Sequence, residues 1–84
     1  MNEIYFVMRS VTAGQRGSAL LEKAGVRARL TRSPGRISPN GCAYAIRIGP
    51  RDLERAEEIL LRSNLPYTGV YRALGGESYE KVRP

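Results

Sequence analysis

Histidine is absent from the 84 residues. That removes imidazole-based metal sites, Ser-His-Asp triads and Cys-His pairs together. Cysteine occurs once, as Cys42. One thiol can form neither an internal disulfide nor a Cys-x-x-Cys metal knuckle, so no metal and no cofactor is expected. Long apolar runs are missing as well. The N-terminal stretch Ile4–Met8 is short, no basic segment precedes it, and nothing approaches the ~20 residues of a membrane span. The expectation is a protein of the reducing cytoplasm, without a leader and without membrane association. Size excludes more. A domain this small buries only about 60% of its unfolded surface, which leaves no room for a core and a deep substrate cavity. Function is therefore expected on a surface, at a loop or at an interface.

Positive charge is plentiful. Fourteen Lys and Arg against eight Asp and Glu give a net charge of +6, carried mostly by arginine. Such a surface attracts RNA, acidic partners or anionic substrates. The charges form no continuous block, however, which favours a simple solvated basic surface.

Hydrophobic spacing predicts the elements. Residues 3–9 are rich in Ile, Tyr, Phe and Val, as a buried strand is. Ser10 offers an N-cap, and Ala13, Gly17, Leu20, Leu21 and Ala24 recur at helical spacing over residues 11–24. Gly14 and Gly17 each cost that helix roughly 1 kcal/mol relative to alanine, and Gly17 lies on the apolar face, where it lets the helix approach a sheet. Gly25 is suited to the helix C-terminus. Val26, Ala28 and Leu30 then alternate with Arg27, Arg29 and Thr31, the pattern of a half-exposed edge strand. Two prolines and two glycines break residues 32–41 into a long polar loop.

Over residues 42–48, Cys42, Tyr44, Ile46 and Ile48 share one strand face, and Ala43, Ala45 and Arg47 the other. Gly49-Pro50 opens a second helix whose inner face is Leu53, Ala56, Ile59 and Leu60. Asn64 and Pro66 end it, and residues 67–71 form a last strand. The reading assigns residues 1–72 to one domain and leaves 73–84 as a loosely ordered C-terminal tail.

The order β-α-β-β-α-β predicts an α+β class fold, a ferredoxin-like split sandwich with a four-stranded antiparallel sheet and two helices on one face. In that fold the first and third strands are central neighbours. The end of the first strand (Met8, Arg9), the start of the first helix (Ser10 to Ala13) and Cys42 are then expected at one end of the sheet. A helix N-terminus carries partial positive charge and unpaired N–H groups, both of which favour a thiolate. Arg9 and Arg36 add positive charge, and Gly41 permits close approach to the backbone. The competing reading is a buried small hydrophobe, the commonest fate of a free cysteine. Residue pattern alone leaves the two balanced.

The chain resembles a small bacterial family described as selenium/sulfur carrier-like proteins. The resemblance covers about residues 4–72 and rests on "LLEKAGVRARLTRSPGRIS", the cysteine segment "NGCAYAIRI", "PRDLERAEEIL" and a final "YTGVYR". The chain departs from the family pattern at Ala43, where glycine often follows the cysteine, and at Pro39, Asn40 and Gly41, where serines often precede it. The resemblance implies a persulfide or perselenide held on Cys42; taken together with the missing histidine, the single thiol, the long polar loop and the shared sheet end, it leads to the expectation of Arg9, Ser10, Arg36, Ser38, Asn40 and Gly41 in supporting roles. It also implies a donor protein and an acceptor protein as partners, and a carrier more than a turnover enzyme.

Two other functions compete. One is a regulatory or assembly domain forming a homodimer through an apolar open face built from Ile4, Phe6, Ala43 and Ala45. The other is an RRM-like RNA-binding module. An RRM stacks bases on aromatics of its first and third strands. Here Tyr5 and Phe6 fall on opposite faces and Tyr44 looks inward, so nucleic acid is not expected as a specific partner and any RNA affinity is expected to be weak and non-specific.

Overall fold

A computed structural model of the chain describes residues 3–33, 44–65, 67–76 and 78–83. Its elements are β1 (Ile4–Met8), α1 (Val11–Lys23), β2 (Ala28–Arg32), β3 (Tyr44–Ile48), a 3-10 turn (Pro50–Asp52), α2 (Leu53–Arg62), β4 (Tyr67–Gly75) and β5 (Ser78–Arg83).

Local chemistry sets the boundaries of the helices. Ser10 is extended, and its Oγ accepts the N–H of Ala13 at 3.1 Å, so α1 starts at Val11. At the other end Gly25 adopts φ +88, which lets Val26 N–H reach the Leu21 carbonyl at 2.8 Å and Gly25 N–H reach that of Glu22 at 3.0 Å. These two bonds form a Schellman cap, and Val26 is drawn into the core behind it. The end of α2 repeats the device with Asn64 at φ 55 and Leu65 N–H bonded to the Leu60 carbonyl at 3.0 Å. Gly25→Ala places a Cβ in the left-handed region and is expected to cost about 1 kcal/mol. A thermal melt followed by circular dichroism should show a Tm lower by about 4–8 °C.

The strands form one sheet in the order β2-β3-β1-β4-β5, with every neighbouring pair antiparallel. The central β1–β3 pairing is the one the split sandwich requires. Ile4, Phe6 and Met8 have no exposed surface and join Ile46, Ile48 and Val70 under the helices. Leu21 of α1 and Ala56 and Leu60 of α2 complete the same core, so both helices cover one face of the sheet. Gly17 makes the close approach possible. A Cβ there would stand 2.8 Å from Ile46 Cδ1 and 3.0 Å from Leu60 Cδ2. Helix propensity lost at this position is exchanged for contact between α1, β3 and α2.

Two expectations are corrected. The sheet has five strands, not four: β4 continues to Gly75, and the chain returns as β5 through residues placed in the tail at 73–84. Alternation in β5 is weakly apolar, and its pairing with β4 supplies what its sequence does not signal. Ile4 and Phe6 do not build an open apolar face, because both lie in the core. Residues opposite one another across strands share a face, and Phe6 pairs with Ile46 and Val70, both core residues. No helix among the described residues is long and apolar enough to cross a membrane.

Candidate functional site

Three elements meet where α1 begins. Met8 closes β1 and pairs with Tyr44, the first residue of β3, and Tyr44 pairs with Arg32, the last residue of β2. Arg9 and Ser10 follow Met8, and both are exposed. Ser10 is accounted for by capping: its side chain takes the Ala13 N–H, and its carbonyl receives Gly14 N–H at 3.0 Å. One of the amide donors expected to be available to an anion is thus already engaged. No acidic residue occupies the first turn of α1, so no carboxylate of its own neutralises the positive end of its dipole. Of the residues predicted for the site, Arg9 and Ser10 are together at this end. Arg36, Ser38, Asn40, Gly41 and Cys42 lie outside the described residues.

Two grooves among the described residues lie away from this end. A groove of about 690 Å³ at the opposite end of the sheet is lined by Glu3, Glu22, Arg27, Arg29, Arg47 and Asp52 among others. Glu22 is tied to the Ala28 N–H at 3.0 Å, and Glu3 lies 3.7 Å from Arg47. Three arginines and three carboxylates line it, and Arg29 and Arg47 are also part of the sheet's open face. A shallower groove of about 310 Å³ runs between Leu20 and Lys23 of α1 and Ile59 and Arg62 of α2. No cluster of three or more His, Cys, Asp or Glu occurs among the described residues.

The open face of the sheet is aromatic, where an apolar one is expected from sequence. It carries Tyr5, Tyr71 and Tyr79, the last two from the extended β4 and from β5. The available signal was the Gly75-Gly76 pair, a hairpin dipeptide, between stretches that alternate Tyr71/Ala73 and Tyr79/Lys81.

The fold is thus an α+β sandwich with two helices on one face of an antiparallel sheet, and its chain enters β3 beside the start of α1. Over residues 3–72 the sequence matches the family described as "Putative Se/S carrier protein-like", and the chain belongs to that family. The match ends before β4 does, so β5 lies beyond it. No curated protein and no solved structure matches the chain.

Proposed function

We propose that this protein carries sulfur or selenium on Cys42 and passes it to a partner protein. The family match carries the reading, in a chain with a single thiol. In the loading step the Cys42 thiolate attacks the outer sulfur of a donor protein's persulfide. The donor S–S bond breaks, the donor cysteine leaves as thiolate, and Cys42 holds the new persulfide. No external oxidant or reductant is needed. Unloading repeats the exchange with an acceptor thiolate, and selenium follows the same course. The work is that of a carrier between two proteins in a reducing cytoplasm.

The surroundings of β3 support this chemistry. Cys42 is two residues before Tyr44 in the chain, which limits the separation of their Cα atoms to about 7.6 Å. Tyr44 lies beside Met8, next to an α1 N-terminus without acidic residues. A thiolate held near such a terminus titrates below the ordinary ~8.5, whereas burial without that help raises it. Arg9, Arg36, Ser38, Asn40 and Gly41 supply the charge and access for a docking partner.

Incubation with a cysteine desulfurase and cysteine, followed by intact-mass and peptide analysis, should show a gain of one sulfur on Cys42. Cys42→Ser should gain none. Alkylation of the folded protein should proceed appreciably below neutral pH. A thiol that neither loads nor reacts until the chain is unfolded would make Cys42 structural and end this reading.

A further inference from the structure

Across the face turned away from the helices, strand register aligns one residue from each strand. In the order β2, β3, β1, β4, β5 they are Arg29, Arg47, Tyr5, Tyr71 and Lys81. Tyr79, opposite Ala73, reaches over to Tyr5 with ring centroids 5.8 Å apart at 79°. The Tyr71 ring lies over Gly69, where a Cβ would come within 2.9 Å of its Cε1. Arg29 and Lys81 are exposed, and the three tyrosines are half-buried. Among the described residues of the five strands, the one carboxylate is Glu80. It pairs with Arg72 in register with core residue Ile4, on the helix side. Glu3, just before β1, meets Arg47 at 3.7 Å.

We propose that this face binds single-stranded nucleic acid, with Arg29, Arg47 and Lys81 contacting phosphates and Tyr5, Tyr71 and Tyr79 stacking on bases. Strands about 4.8 Å apart spread the row over roughly 19 Å, so cations flank an aromatic centre along a line that a flexible strand can follow. Sequence-tolerant binders of single strands use this pairing of stacking rings with a basic track. A second copy of the chain fits the face poorly, because two such rows brought together oppose arginine and lysine with their like. The binding has no sequence preference, since a tyrosine face accepts every base, and it weakens with salt. It uses no atom of Cys42 and stands or falls apart from sulfur transfer.

The test is fluorescence anisotropy of a fluorescein-labelled oligouridylate titrated with the full chain at several salt concentrations. Binding should weaken linearly on a log–log salt plot, and Arg29→Ala and Arg47→Ala should each lower the slope by about one. Tyr71→Ala should weaken binding roughly 5- to 100-fold, with Tyr71→Phe retaining it. Tyr79→Ala, at the sheet edge, repeats the test at a site where folding is least at risk. Unchanged affinity in both Tyr71→Ala and Tyr79→Ala, or inorganic polyphosphate competing equally per charge, would reduce the effect to general attraction by net positive charge and overturn the proposal. So would a dimer in sedimentation that Arg29→Glu dissociates and the oligonucleotide does not.

Discussion

Phe6→Ala is expected to remove about 3–5 kcal/mol of stability. Phe6 has no exposed surface and sits on β1, with β3 on one side and β4 on the other. Its ring meets Tyr67 edge-to-face, with centroids 5.1 Å apart at 83°, and the Tyr67 hydroxyl donates to Glu57 of α2 at 2.9 Å. Truncation therefore opens a cavity at the centre of the sheet and loosens the contact that ties β4 to α2. A chain of this length has only about 4–13 kcal/mol of total stability, so the variant should be partly unfolded at modest urea concentrations. Urea titration read by circular dichroism measures this directly. A loss below about 1 kcal/mol would mean that the site collapses around the missing ring.

Ending the chain after Gly76 is expected to lower stability by more than the worth of one aromatic pair, about 1 kcal/mol. Lost with β5 are its ladder with β4, the Tyr5–Tyr79 contact, itself worth about 0.5–1.5 kcal/mol, and the packing of Val82 against the core. The nine residues of β4 would then form an open edge, which promotes pairing between chains. Calorimetry should show the lower Tm, and sedimentation should show concentration-dependent association. Unaltered stability and a monomeric truncated chain would make β5 an accessory. The comparison matters because the family match covers residues 3–72 and leaves β5 out.

Much of the architecture was legible because its signals are local. Ser10 before an apolar helical repeat and Gly25 after it act within one or two turns and bound α1 where they predict, whereas Pro50 opens a 3-10 turn and α2 itself starts three residues later, at Leu53. The α1 glycines were legible only in part. Their cost to the helix follows from composition, but the reason to keep them is the Leu30 and Ile46 side chains that fill the space a Cβ would take at Gly14 and Gly17. The candidate site was legible as a residue type, one thiol in a chain without histidine. The pairing of Met8 with Tyr44 has β3 begin at the end of the sheet that the split-sandwich order predicts.

Sequence by itself determined the element order as far as β4, the caps of α1, the opposite orientation of Tyr5 and Phe6, and the restriction of thiol chemistry to Cys42. Period-2 alternation fixes which strand residues are on opposite sides, but not which side meets the helices. Tertiary packing made that choice, burying Phe6 and leaving Tyr5 on the open face, because Ile46, Leu60 and Val70 converge on one side only. It also made a strand of Ser78–Arg83, whose sparse apolar content cannot hold an extended chain alone. The backbone groups along β4 hold it, and they come together only once the rest of the sheet has formed.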